Sequence, residues 1–113
     1  MSEVLVIIPT YNEIENIETI TDAVMGYPDN FDMLVIDDCS PDGTADAVRK
    51  KMQQYPDRIF LECRKGKLGL GTAYIHGFRW ALQRDYRFII EMDADFSHNP
   101  AAVSYTHLTL PTT

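Results

Sequence analysis

The sequence is short of the features that would place a protein in a membrane, on nucleic acid or in a disulfide scaffold. The longest apolar run of its amino-terminal half, Val4 to Pro9, falls far below the roughly 20 residues that a spanning helix needs, and no basic segment precedes it. Neither a transmembrane helix nor a secretory leader is expected, and the expected compartment is the cytoplasm. Ten basic residues against seventeen acidic ones give a formal charge of -7, which argues against nucleic acid as a partner because neutralising phosphates requires a basic face. An acidic protein can still hold a polyanion locally through a metal ion. The two cysteines, Cys39 and Cys63, are too few for a disulfide framework and lack the spacing of a zinc site, so they read as reduced structural thiols. There is no internal repeat and no low-complexity tract.

What is present is the material of one α/β domain, or part of one. The chain has 113 residues, 45% hydrophobic and 24% charged, enough for a single core and too little for two ordinary domains. Val4-Leu5-Val6-Ile7-Ile8 is a continuous run rich in β-branched residues, as expected of a parallel strand covered on both faces, with Pro9 as its stop. Asn12 is placed to cap a helix in which Ile14, Ile17, Ile20 and Val24 recur at helical spacing, with Glu15 three residues on. Met33 to Ile36 repeats the strand and ends at Asp37-Asp38. Ser40-Pro41-Asp42-Gly43 then turns into a helix carrying Ala45, Ala47, Val48 and Met52. Arg58 to Glu62 is a third strand, and Leu70, Ala73, Tyr74, Gly77, Phe78, Ala81 and Leu82 line a third helix. Tyr86 to Met92 is a fourth strand. Strands alternating with helices imply an open, mostly parallel, Rossmann-like sheet flanked by helices.

From Ala101 the texture changes, since Ser104 to Thr113 contains no charged residue and no helical period. Residues 1–100 are therefore taken as the ligand-binding region of an incomplete domain. Residues 101–113 are taken as a divergent tail, non-native or disordered, with a short edge strand as the alternative.

Four constellations carry chemistry. Pro9-Thr10-Tyr11-Asn12-Glu13 follows strand 1 and sets an aromatic ring beside a carboxylate, which suits a nucleobase; alone, it reads equally as a capping loop. Asp37-Asp38-Cys39-Ser40-Pro41-Asp42-Gly43-Thr44 follows strand 2, where an acid is placed to meet ribose hydroxyls. Strand 1 lacks the G-x-G-x-x-G of dinucleotide folds, so that fold is disfavoured. Asp42 and Ser40 are assigned to the turn, and function is reserved for Asp38. Arg64-Lys65-Gly66-Lys67-Leu68-Gly69-Leu70-Gly71 combines glycines, cations and a helix start, which suits an anion or simply a solvated loop. It fails the P-loop pattern because Leu61 stands where a glycine belongs. Finally, Asp93-Ala94-Asp95 closes strand 4, and alternate residues of an extended backbone point the same way, so both carboxylates can reach one hard cation. An EF-hand is excluded by His98 and Ser104 at its glycine and glutamate positions. A phosphohydrolase with Asp93 as nucleophile stays open, although that motif normally closes the first strand of its domain. His98 is read as a local turn residue or as one that backs the metal ligands, not as a catalytic base.

Taken together, the acidic loops after strands 1, 2 and 4 converge on one sheet edge. The chain resembles the family-2 glycosyltransferases of the GT-A fold, and within them the branch that transfers mannose to polyprenyl (dolichyl) phosphate. The resemblance rests on Ile7 to Glu13, Asp37 to Thr44, Gly69 to Tyr74, Gly77 to Leu82 and Glu91 to His98, and covers residues 4–100. It implies that Pro9, Tyr11, Glu13, Ile36 and Asp38 hold the nucleotide of GDP-mannose. It further implies that Asp93 and Asp95 bind Mg²⁺ or Mn²⁺ on the diphosphate and that Ala94 lies against the sugar nucleotide. Ser97 stands where some members have a glutamine ligand. The implied reaction is an inverting mannosyl transfer to a polyprenyl phosphate by an enzyme peripheral to the cytoplasmic membrane face. A UDP-sugar transferase of the same family, or a nucleotide-binding fragment without catalysis, are the alternatives.

Overall fold

The computed structural model describes residues 3–26, 31–38, 41–65, 70–92 and 108–109. Four strands, β1 (Val4–Thr10), β2 (Phe31–Asp37), β3 (Ile59–Cys63) and β4 (Phe88–Glu91), are parallel, and β5 (Leu108–Thr109) runs antiparallel beside β4. The order is β3-β2-β1-β4-β5. Helices α1 (Ile17–Met25), α2 (Thr44–Gln54) and α3 (Leu70–Leu82) fill the crossovers. The α/β reading therefore holds, and the short edge strand is realised at residues 108–109.

Each β-branched run is buried on both faces, as parallel strands require. Val6, Ile8, Met33 and Val35 pack with Ile17, Ile20 and Val24 of α1 and Ala47 and Val48 of α2. Leu5, Ile7, Leu34 and Ile36 point the other way and meet Ala73 and Ala81 of α3. Gly77 lets α3 settle directly on β1, since a Cβ there would lie 2.8 Å from Ile7 Cδ1. At the far end of this second core the buried Tyr86 hydroxyl donates to the buried Asp32 carboxylate at 2.6 Å.

Several local expectations are corrected. Pro9 does not stop β1, which runs on to Thr10 with Pro9 opposite Ile36. Backbone groups of alternate residues face the same neighbour. Thr10 O accepts from Asp38 N, so Thr10 faces β2, while Ile7 O accepts from Met92 N and faces the β4 side. Pro9 shares the orientation of Ile7, and β4 is paired with β1 only as far as Ile7, so its missing N–H removes no ladder bond. Asn12 is not the cap of α1 either. It adopts φ 57°, the helix begins at Ile17 behind Asn16, and Ile14 stays outside the helix, exposed. β3 begins at Ile59 rather than Arg58, and β4 is confined to Phe88–Glu91. Leu82 ends α3 exposed instead of packed. Cys63, read as a reduced structural thiol, is a free cysteine exposed at the end of β3, with Arg49 Nη2 donating to its Sγ at 3.8 Å.

Candidate functional site

In a parallel sheet of this order the strands β1, β2, β3 and β4 deliver their carboxyl ends to one edge, where open α/β sheets bind ligands. Pro9 and Ile36 are paired across β1 and β2 just below that edge; Ile36 is fully buried and Pro9 half-buried. Tyr11 and Glu13, both half-buried, follow β1. Asp38 follows β2 and is 5% exposed. The structure thus brings together five of the residues singled out from sequence. Asp93, Ala94 and Asp95, with Cys39, Ser40, Ser97 and His98, lie outside the described residues. The chain reaches that motif from Met92, which is buried and donates its N–H to Ile7 O at 3.0 Å.

The loop after β1 is held by residues from the start of α2. Glu13 N–H donates to Thr44 Oγ1 at 3.0 Å, and Ile14 N–H donates to Asp42 Oδ2 at 3.2 Å. Thr44 donates its own N–H and hydroxyl to Asp42 Oδ1. Burial pushes the Asp42 carboxyl upward, but the Thr44 hydroxyl and the Ile14 and Thr44 amides outweigh it and hold the group below its ordinary 3.8. Asp42 is a turn residue as expected, and it also ties the two ligand-edge loops together. The Glu13 carbonyl accepts from Asn16 and Ile17 at the start of α1, and Asn16 Nδ2 donates to Glu13 Oε2 at 3.4 Å.

The two aspartates that end β2 have different partners. Thr10 Oγ1 donates to Asp37 Oδ1 at 2.7 Å in a fully buried contact. Asp38 is gripped by Arg64, whose Nε reaches Oδ1 at 2.6 Å and whose Nη2 reaches Oδ2 at 2.8 Å. Both side chains are less than a tenth exposed. Arg64 is the residue that sequence reasoning undervalued, having been grouped with the cations of a solvated glycine-rich stretch. The available signal was physical: an acid buried at a strand end needs a hydrogen-bonding or cationic partner, and Arg64 directly follows β3. The same arginine helps to wall a groove of about 620 Å³ between β3 and α3, with Glu62, Thr72, His76 and Trp80.

Among the described residues no cluster of three or more His, Cys, Asp or Glu could hold a metal, and no helix is long and apolar enough to cross a membrane. The carboxylates of Asp93 and Asp95 offer the hard oxygen donors that suit Mg²⁺ or Mn²⁺.

Comparison with known proteins follows the same lines. Residues 5–106 match the model of the family described as glycosyl transferase family 2. The chain is 47% identical over 100 residues to the polyprenol monophosphomannose synthase of Mycolicibacterium smegmatis, covering 88% of this chain and 38% of that protein. It is 48% identical over 97 residues to the undecaprenyl-phosphate mannosyltransferase of Micrococcus luteus, covering 86% and 40%. It therefore spans about two fifths of the length of these curated relatives. Among solved structures, the mannosyltransferase PcManGT from Pyrobaculum calidifontis, in complex with GDP-Man and Mn²⁺, superposes with a TM-score of 0.71 at 33% identity, covering 82% of this chain and 27% of that one. TarS 1-349 of S. aureus in complex with UDP superposes with a TM-score of 0.66 at 26% identity, covering 84% and 28%.

Proposed function

The chain belongs to glycosyl transferase family 2, and on that premise we propose that it forms the donor side of an enzyme transferring mannose from GDP-mannose to a polyprenyl or dolichyl phosphate. The observation that carries this reading is the convergence of the Tyr11–Glu13 loop and Asp38 on one sheet edge, in a chain that resembles polyprenyl-phosphate mannosyltransferases. In this proposal Pro9, Tyr11, Glu13, Ile36 and Asp38 hold the nucleotide. Ala94 lies against the sugar nucleotide, and Asp93 and Asp95 hold Mg²⁺ or Mn²⁺. The enzyme works peripherally at the cytoplasmic membrane face, and the acceptor site belongs to the whole protein.

The chemistry asks little of a protein base. A phosphate monoester has a second pKa of about 6 and is largely ionised at neutral pH, so the acceptor oxygen can attack C1 directly. Attack from the face opposite the diphosphate inverts the anomeric centre. A divalent ion held by Asp93 and Asp95 would supply Lewis-acid stabilisation to the leaving diphosphate. This chain's residues orient the donor: the Tyr11 ring and the Glu13 and Asp38 carboxylates fix the nucleoside, which sets the direction of the glycosidic bond.

A UDP-sugar donor is the second reading, favoured by the likeness to TarS solved with UDP. The test is a donor screen with GDP-mannose, UDP-glucose and UDP-N-acetylglucosamine against polyprenyl phosphate, with Mg²⁺ or Mn²⁺ added. Transfer from GDP-mannose alone supports the proposal, and transfer from a UDP-sugar alone selects the second reading. GDP binding without transfer by the whole protein selects a non-catalytic nucleotide binder. Release of inorganic phosphate with a trapped Asp93 acyl-phosphate selects a hydrolase.

A further inference from the structure

We infer that Arg64 is a positioning residue for the donor base, acting through Asp38 and braced by Thr72; the inference rests on the nucleotide reading given above. Arg64 is fixed at four points. Its backbone N–H donates to Asp37 O at 2.8 Å, its Nε and Nη2 take the two oxygens of Asp38, and its Nη1 donates to Thr72 Oγ1 at 3.0 Å. The paired N–H groups of a guanidinium match a carboxylate in plane and direction, which a point charge on a flexible stem does not. The Asp38 carboxylate is consequently held in one orientation at the sheet edge. A carboxylate offers about four lone-pair sites, so a two-bond pairing does not by itself exhaust its capacity to accept from the N–H edge of a base.

Fold stability is a poor reason for such a pair. Buried ion pairs are often replaceable by apolar residues without loss, because desolvation cancels most of the attraction. This one lies beyond the last residues of β2 and β3, outside both apolar cores. Its geometry does serve ligand recognition. The brace from Thr72 links the first turn of α3 to the same carboxylate through Arg64.

Calorimetry on the whole protein tests this with two probes, GDP and inorganic pyrophosphate, each with Mg²⁺. Arg64→Ala and Arg64→Lys should weaken GDP binding about tenfold or more, the cost of loosening a charge-assisted contact, and should leave pyrophosphate binding unchanged. Thr72→Val should weaken GDP binding by a smaller factor. In the Asp38→Asn background, Arg64→Ala should produce no further loss, because Arg64 acts only through that carboxylate. Should Arg64→Ala fail to fold, Arg64→Lys gives the same comparison. Equal losses for GDP and pyrophosphate would reduce Arg64 to a structural role and overturn the inference. So would losses at Arg64 and Asp38 that multiply, or variants that bind GDP like the parent. A parent protein that does not bind GDP overturns the GDP reading together with this one, whereas parent binding insensitive to Arg64 overturns this one alone.

Discussion

The Asp42 carboxylate accepts the Ile14 N–H at 3.2 Å, so the residue that opens the approach to α2 also holds the loop leaving β1. Thr44 completes the connection by accepting from Glu13 N–H at 3.0 Å while fully buried. Thr44→Val keeps the shape and deletes the acceptor. It should cost about 1–3 kcal/mol of stability, the penalty of an unsatisfied amide, and should weaken GDP binding because Glu13 is released. Urea denaturation and calorimetry on one variant read both effects. Full retention of GDP affinity would separate the Glu13 loop from the ligand site.

Asp42 also gives the fold an acid limb. Its carboxyl titrates below 3.8 in the folded protein. A depressed value means that the ionised form is favoured by folding, so the contribution is complete above 3.8 and disappears as pH falls through the folded value. The group is exposed, which keeps the effect small. Asp42→Asn should flatten the fall in thermal midpoint below about pH 4. An unchanged slope would show that the loop junction does not depend on the charge.

Tyr86 predicts the opposite limb. Burial first, and then the hydrogen bond to Asp32, push its hydroxyl well above the ordinary 10.0. Folding here favours the protonated form, so the contribution is complete below 10.0 and is lost as pH rises toward the folded value. Tyr86→Phe should remove this alkaline loss. It should also cost about 1–3 kcal/mol near neutrality, because the buried Asp32 loses a donor at 2.6 Å. Chemical denaturation at neutral and alkaline pH distinguishes the two effects.

Gly77 tests the packing of α3. Gly77→Ala would set a Cβ 2.8 Å from Ile7 Cδ1 and 2.9 Å from Cγ2, against a fully buried side chain. Overpacking of this kind costs about 1–3 kcal/mol. Ile7→Val removes Cδ1 and should recover part of that loss in the double variant. Additive destabilisation would mean that the two positions are not in contact.

Asp95→Asn addresses the metal. Without one carboxylate of the Asp93-Ala94-Asp95 motif, metal-dependent transfer should fall by about a hundredfold or more, the scale of losing one transition-state charge contact. Turnover measured across a Mn²⁺ titration gives the answer, and unchanged turnover at every concentration would remove Asp95 from the metal site.

The layout of the sheet was legible because its signal is local. A run such as Val4 to Ile8 can be satisfied only by burial on both faces, and the strands it implied are present. The loops were less legible because distant residues decide them. Nothing in Asn12-Glu13-Ile14-Glu15 announces that α1 starts at Ile17; the loop is held away from helix by Asp42 and Thr44, 28 and 31 residues on, and Asn12 takes its left-handed conformation there. Pro9 looked like a stop because its missing N–H is visible in sequence, while the direction that N–H would have faced is not. Arg64 belonged by composition to an exposed basic loop, and only the pairing of β2 with β3 puts it on Asp38. The Asp93–Asp95 motif lies outside the described residues, so its role stands on sequence and family alone.

Asp37 and Asp38 are identical letters with contrary duties. One serves the interior by accepting from Thr10, and the other serves the rim by meeting Arg64. Because neighbouring residues of a strand alternate sides, inserting a single residue in β2 would bring Ile36 to the place of Asp37 and Asp37 to that of Asp38. Deleting one would bring Asp38 to the place of Asp37 and Cys39 to that of Asp38. Either way only one of the two places would keep an aspartate, and the other would lose its carboxylate. The length of β2 is therefore as much a part of the ligand site as its acids, and this strand should tolerate substitution far better than a change of length.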